Sequence, residues 1–411
     1  MTHRRAGMQQ IAYDTKNSQS LVITVIGGGN AAHALAALLP YKGITTRLWA
    51  PFADEAQQLN QGLNEQGYIH AEFAEHNPIH GAIQGRPQIV SANAAEVIPG
   101  SDIVLVPLPS FAYRDLFSQI KPYLKPGMMI GVSPGQGGVD WVAREILGSL
   151  YDEVVLFAIM PMPFNCRISE YGKRVEVQEL KRAYRVACHP ESASDRVCTL
   201  NNLFFGQSEP CGNLLTASLY PINAVIHPAR LYQLAKDYED NQPLQANPLF
   251  YEQMTDEATA LMDSVNQELL AIAAALKQAH IPCGELPHIA DFLANYVYQE
   301  PSQCLTSFFR DNPAYKGFGT PFIPIEGGWR PDFSNRYFTE DIPLGLCLYR
   351  GLAELAAVAT PTIDKIIEWA QTHMEKSYLV EGQLIGKDIK ETHAPQRFGI
   401  NTLTKLREFY T

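Results

Sequence analysis

Two hydrophobic rhythms divide the chain. Over residues 21–160, short apolar, β-branched runs alternate with stretches whose apolar positions recur every three or four residues. Residues 21–26, 45–49, 103–107, 128–132 and 154–159 read as buried strands, and residues 30–39, 53–63, 112–124 and 138–147 as helices. Strand and helix in alternation build βαβ units, so the expectation is a doubly wound parallel sheet with helices on both faces. Residues 66–88 are more polar and are expected to insert a hairpin. From about Pro210 helical patterns take over, at 214–226, 250–279, 288–298, 344–358 and 362–376. Ala258, Leu261, Val265, Leu269, Ile272 and Leu276 draw one stripe along the second of these. The expected organisation is an α/β domain over 21–205 and a mainly α-helical domain over 206–411, with Gly206 and Pro210 as linker residues.

The turn after the first strand carries chemistry. Gly27-Gly28-Gly29-Asn30-Ala31-Ala32 has the spacing Gly-x-Gly-x-x-Ala where a strand ends and a helix opens. Gly27 permits the tight turn, Gly29 lets a pyrophosphate approach the backbone, and Ala32 keeps helix and strand close. The helix N-terminus supplies free N–H groups and a positive dipole end for the phosphates. The first domain is therefore expected to be Rossmann-type and to bind a dinucleotide. Asn30 and Ala31 within the turn, and Leu108 and Pro109 just past strand 103–107, complete the candidate cofactor contacts. A ribose-binding acid is expected about twenty residues on, but Trp49, Ala50 and Pro51 stand there. The nearest acids, Asp54 and Glu55, fall on the next helix, where Asp54 reads as a cap. Arg47 lies inside the strand rather than past its end, where a partner for a 2′-phosphate belongs. NAD(H) is favoured, and NADP(H) fits the same turn.

Composition narrows the class. At ~150 residues per domain, 411 residues make two or three domains. The net charge is −11 and no Lys/Arg run exceeds two residues, so no basic stripe offers itself to nucleic acid. The seven cysteines are odd in number and form no Cys-x-x-Cys pair, which reads as a reduced, cytoplasmic chain. Residues 1–20 are polar and lack a signal peptide's apolar core, and no run reaches the ~18 apolar residues of a membrane span. No His/Cys/Asp/Glu spacing has the form of a metal site, so no metal is expected.

Three further stretches hold reactive side chains. Ser133-Pro134-Gly135-Gln136-Gly137-Gly138 follows a predicted strand at the edge where open α/β sheets bind ligands. The others are Asn223-Ala224-Val225-Ile226-His227-Pro228 and the run from Gly327 to Pro343, which includes Asn335-Arg336-Tyr337-Phe338-Thr339-Glu340-Asp341-Ile342-Pro343. With Cys166-Arg167-Ile168, Tyr315-Lys316-Gly317 and Gly386-Lys387-Asp388, these motifs resemble the octopine dehydrogenase branch of the opine dehydrogenases over nearly the whole chain from Leu21. The His-Pro and Asn-Arg-Tyr-x-Thr-Glu-Asp-Ile-Pro elements are the specific ones.

The resemblance implies an NAD(P)H-dependent enzyme that joins an α-keto acid, often pyruvate, to the amino group of an amino acid through an imine. It implies a Rossmann-type N-terminal domain, a helical C-terminal domain, and substrates bound in the cleft between. It also implies small-molecule partners only, with no nucleic acid and no membrane, in a monomer or homodimer. His227 matches the catalytic histidine and Asp341 its acidic partner; by pattern alone, His227 stands at a helix break and Asp341 could cap the following helix. Gln136, Cys166 and Arg336 match positions near the substrates. Arg336 could hold a substrate carboxylate or the cofactor pyrophosphate. Cys166 reads as a small buried hydrophobe rather than a nucleophile. Met160-Pro161-Met162-Pro163 departs from the family and is expected to reshape the amino-acid pocket. Two other classes share the two-domain plan. A 2-hydroxy-acid or sugar-phosphate dehydrogenase would need a Lys or basic cluster, yet Lys236, Lys277 and Lys316 are scattered. A non-catalytic NAD(P) sensor would need no His–Asp pair.

Overall fold

A computed structural model describes residues 21–79, 81–239, 242–298 and 304–411; the polar segment 1–20 lies outside them. The chain forms two compact units. One runs to Gly135 and resumes over Ile146–Pro210; the other holds Gln136–Glu145 and Cys211–Thr411. The expectation of a single boundary near 205 needs correction at Gln136–Glu145. This segment is fixed by partners in the helical unit: Gly138 N–H donates to Ser218 (3.1 Å), Arg397 pairs with Glu145 (2.7 Å), and Trp141 packs on Phe398.

In the first unit, β1 (Val22–Ile26), β2 (Thr45–Trp49), β5 (Ile89–Ser91), β6 (Ile103–Val106), β7 (Met129–Val132) and β8 (Val155–Met160) are parallel. β11 (Ala183–His189) joins β8 antiparallel, and β12 (Gln207–Gly212) closes the edge, in the order β12-β11-β8-β7-β6-β1-β2-β5. The chain leaves β1 toward β2 on one side and returns to β6 on the other, so the crevice outside the ends of β1 and β6 is the ligand position of such sheets. The expected hairpin is present as β3 (Ile69–Phe73) and β4 (Gly81–Gly85). It pairs further with β9 (Phe164–Glu170) and β10 (Arg174–Leu180) in a second, four-stranded sheet.

Helix α1 (Asn30–Tyr41) contacts strands of both sheets, which explains its composition. Ala32 and every residue from His33 to Leu39 are buried, and a helix apolar on all sides is one covered on all sides. α2 (Glu55–Gln66), α3 (Ala94–Val97), α4 (Tyr113–Ile120) and α6 (Ser194–Phe204) complete this unit, and α5 (Val139–Leu147) spans the division.

The second unit is mainly helical. The predicted helix 214–226 is two helices, α7 (Leu214–Ser218) and α8 (Asn223–Ala235), parted where Pro221 cannot donate a backbone hydrogen bond. α9 (Asp256–Gln278) is capped by Thr255, whose hydroxyl accepts from Ala258 N–H at 3.2 Å, and it carries two acids in its first turn and Lys277 in its last. α10 (Ile289–Phe292), α11 (Leu305–Arg310), α12 (Arg336–Thr339), α13 (Cys347–Ala356), α14 (Pro361–His373) and α15 (Leu403–Tyr410) follow, with a hairpin of β13 (Phe322–Ile325) and β14 (Gly328–Pro331) before α12. No described helix is long and apolar enough to cross a membrane.

Candidate active site

In the first unit the glycine turn is built as a phosphate seat. Gly27 takes φ +90°, a conformation that favours glycine, and its N–H donates to Trp49 O at 2.7 Å. α1 opens with no side-chain cap and no acid in its first turn, which leaves its N–H groups available to an anion. The space beside Gly29 is open. Leu108 packs against Gly27, and Pro109 starts the turn 110–112. Asn30 is occupied, because its Oδ1 accepts from Ile168 N–H at 3.0 Å and ties the turn to β9.

Beneath the turn lies His33, fully buried. Its Nε2 accepts from Gly172 N–H at 2.9 Å, so in the neutral ring Nδ1 carries the hydrogen and donates to Gly29 O at 3.1 Å. Burial pushes its pKa down to about 4 against opposing hydrogen bonds to Gly29 and Gly28. His33 thus bolts the turn to the β9–β10 connection. It directly follows the Gly-x-Gly-x-x-Ala turn, whose spacing does not itself call for a histidine.

The acid at this turn is Glu55. Its Oε2 accepts from Gly28 N–H at 3.0 Å, and burial holds its carboxyl above the usual range although that bond opposes the shift. Asp54 stands at the cap position of α2, but its carboxylate takes Gln58 Nε2 at 2.7 Å instead of a backbone N–H. The Tyr171 hydroxyl lies against Gly28, buried and without a hydrogen-bond partner. A free phosphate seat, a half-buried carboxylate and an unpaired hydroxyl around one turn fit a dinucleotide. Arg47 is spent on Val97 O and Pro99 O.

Ala31, Pro107, Ser133, Met162, Pro163 and Phe164 line an apolar pocket of this unit. Met162 and Pro163 belong to the run expected to reshape the amino-acid pocket. Cys166 lies in β9 within the hydrophobic core, and burial pushes its thiol up to about 12, far from a reactive thiolate.

In the second unit His227 and Asp341 come together. Nδ1 and Oδ2 are 2.8 Å apart, with both side chains buried. The expected helix break at His227 is incorrect. His227 and Pro228 lie inside α8, where the proline forgoes one backbone hydrogen bond, to Ala224 O, without ending the helix. Asp341 opens a π-helical stretch, Asp341–Leu346, that runs into α13; its carboxylate serves His227 and caps nothing. The stretch reaches α8 closely at Gly345, where any Cβ would strike Ala224. Tyr337 stacks on the imidazole at 3.8 Å and 19°. The distal Nε2 lies 3.1 Å from the Tyr251 hydroxyl. Burial holds that phenol well above its ordinary range, helped by Tyr337, Tyr315 and Asp341, so it rests as the neutral phenol.

Arg336 opens α12, half-exposed, and pairs with Glu340 at 3.4 Å. Gln136 is buried, and its Oε1 has no hydrogen-bond partner. His393 ties that loop to the Asp341 segment: its ring meets Gly137 O at 2.5 Å and its N–H donates to Pro343 O at 3.0 Å. The structure therefore gathers Gln136, His227, Arg336 and Asp341 in one unit, and the glycine turn, Leu108, Pro109 and Cys166 in the other.

Comparison with known proteins decides the family. Residues 210–374 match the alpha-helical domain of NAD/NADP octopine/nopaline dehydrogenase, and residues 22–135 match the N-terminus of NAD-dependent glycerol-3-phosphate dehydrogenase. Tauropine dehydrogenase of Arabella iricolor is 34% identical over 401 residues, 94% of this chain and all of the other. The chain belongs to the opine dehydrogenase family. Octopine dehydrogenase of Pecten maximus is also 34% identical, over 93% of this chain and 98% of its own. A solved octopine dehydrogenase in complex with NADH and agmatine superposes with TM-score 0.82 at 30% identity, covering 94% of this chain and 98% of that one. The protein is thus an NAD-dependent oxidoreductase of the opine dehydrogenase type. Glycerol-3-phosphate dehydrogenase of Acinetobacter baumannii aligns over only 31% of the chain, so the sugar-phosphate reading rests on the shared dinucleotide fold alone.

Proposed function

We propose that this opine dehydrogenase condenses pyruvate with the amino group of an amino acid, with His227 as the proton donor that Asp341 orients. The carrying observation is the buried His227–Asp341 pair at 2.8 Å. An ionised carboxylate only accepts, so it fixes hydrogen on Nδ1 and stabilises the ring when a second proton arrives. Bound NADH would supply the hydride that reduces the imine. The glycine turn and α1 would hold its pyrophosphate, and Glu55 beside Gly28 would take a ribose hydroxyl and repel a 2′-phosphate, which favours NADH over NADPH. Gln136 offers a buried acceptor to the amino group, and Arg336 a guanidinium to a carboxylate once it leaves Glu340. Cys166, its thiol packed in the core, would offer the substrates no reactive group. Seven free thiols, five of them buried, favour a reducing compartment, and we place the enzyme in the cytoplasm.

The test is NADH oxidation with pyruvate and a panel of amino acids that includes L-arginine, which appears bound in a solved octopine dehydrogenase. Turnover should require both substrates. Equal turnover with pyruvate alone, or with ammonia in place of the amino acid, would overturn the assignment.

A further inference from the structure

The reactive nitrogen of His227 is covered. Because Asp341 takes Nδ1–H, the neutral ring presents Nε2 as an acceptor, and the Tyr251 hydroxyl donates to it at 3.1 Å. Tyr337, stacked on the same imidazole, is the next hydroxyl beside Tyr251. With its one hydrogen committed to the imidazole, Tyr251 keeps a lone pair to receive a proton from outside. Tyr251, His227 and Asp341 are buried, whereas Tyr337 is only half-buried.

Tyr251 sits in an irregular segment between α8 and α9 that is fixed beyond the needs of a core filler. Arg230, three residues after His227 on α8, donates to Phe250 O at 3.1 Å and to Gln253 O at 2.7 Å. Arg310 donates to Met254 O at 2.6 Å, and Phe250 N–H to Phe318 O at 2.7 Å. The Tyr251 ring stacks on Tyr315 at 4.1 Å and 18°. The helix that carries the histidine therefore also clamps the residues on both sides of the tyrosine.

We propose that Tyr251 is a proton-relay partner of His227, a positioning residue that reloads Nε2 after His227 has given its proton to the substrate, with Tyr337 as the outer end of the path. This rests on His227 as the proton donor. Each condensation consumes one proton besides the hydride. To load the ring, Tyr251 gives its phenolic proton to Nε2 and takes that of Tyr337, whose oxygen is reprotonated from water. Only O–H and N–H bonds change, and no electrons are transferred between groups.

Tyr251→Phe keeps the stacked ring and removes the hydroxyl. Single-turnover NADH oxidation with pyruvate and the supporting amino acid should slow ~10–100-fold, within the range for impaired acid–base catalysis, with NADH affinity and melting temperature unchanged. Tyr337→Phe should slow it less. In H₂O/D₂O mixtures the native enzyme should give a bowed proton inventory and Tyr251→Phe a linear one, a difference that simple packing loss would not produce. Imidazole ¹⁵N spectra of the resting enzyme, which need no turnover, should show hydrogen on Nδ1 of His227. Hydrogen on Nε2 instead, or a Tyr251→Phe rate within twofold of native, overturns the relay. His227→Ala assayed alongside separates the two claims: if it loses activity while Tyr251→Phe does not, only the relay fails; if neither loses activity, the donor assignment fails with it.

Discussion

Asp341→Asn isolates the charge behind the histidine while preserving its shape. The native bond is 2.8 Å long and buried at both ends, so water cannot replace it. Hydrogen bonds to charged groups contribute about 1.5–3 kcal/mol and neutral ones about 0.5–1.5 kcal/mol. The asparagine carbonyl can still accept from Nδ1–H, so what disappears is the charged increment, about 1–1.5 kcal/mol, and it disappears chiefly from the protonated ring. At 1.36 kcal/mol per factor of ten, kcat should fall roughly 5–15-fold with the KM for NADH unchanged. Asp341→Ala leaves Nδ1–H buried without an acceptor and should cost more, about 10–10²-fold, since unpaired buried donors carry the full desolvation penalty of about 1–3 kcal/mol. The assay is steady-state NADH oxidation at saturating substrates, with circular dichroism to check the fold. Equal activity of native and Asp341→Asn enzymes would refute the coupling of this carboxylate to the chemistry. A loss confined to KM for NADH would move Asp341 from the proton chemistry to cofactor binding.

Other consequences can be checked separately. His227→Ala should retain NADH binding, read by nicotinamide fluorescence, and lose ~10²–10⁴ in kcat; undiminished kcat refutes the donor role. Glu55→Gln removes the carboxylate at Gly28 and should narrow the NADH preference by ~10-fold, read as the ratio of dissociation constants for NADH and NADPH; an unchanged ratio removes Glu55 from cofactor choice. His33, with a folded pKa of about 4 against 6.5, lets the unfolded chain bind more protons between these values. Its contribution is therefore full above pH 6.5 and lost as pH falls through 4, about 3 kcal/mol in all. Asp140, buried at the start of α5 and raised to about 6 by burial, acts in the opposite sense. It costs stability as pH rises from 3.8 through 6, so Asp140→Asn should raise the melting temperature more at pH 7 than at pH 4; equal shifts at both would refute the assignment.

The parallel strands were legible because they are buried on both faces. An unbroken apolar run is what such burial demands, and the register of β1 with β2 and β6 follows without side-chain choices. β9 and β10 were equally available in principle. Val175 and Val177 alternate with Arg174 and Glu176, a clean period of two. What no local pattern encodes is that β10 pairs in parallel with β3, some hundred residues earlier, and that α1 is closed over by the sheet so formed. The all-round apolar character of α1 was the available clue to a second sheet.

At the site, the sequence yielded residue types and the His227–Asp341 pairing, and missed the other contacts. His227 was misplaced at a helix end because a following proline reads as a terminator, yet α8 continues past Pro228 to Ala235 with one backbone hydrogen bond forgone. Asp341 carried two readings, cap or partner. The π-helical stretch after it decides between them, because Gly345 lets that stretch approach α8 and deliver the carboxylate to the ring. Glu55 was named as a nearby acid, but its bond to the Gly28 N–H was not legible, and Tyr251 escaped altogether because it acts on a side chain more than twenty residues away and belongs to no motif. Tyr251 in particular has no periodic neighbourhood to announce it. Its position comes from two arginines that bind carbonyls, Arg230 and Arg310, and a buried guanidinium spent on irregular backbone is the sequence-invisible sign that the backbone is held for a purpose.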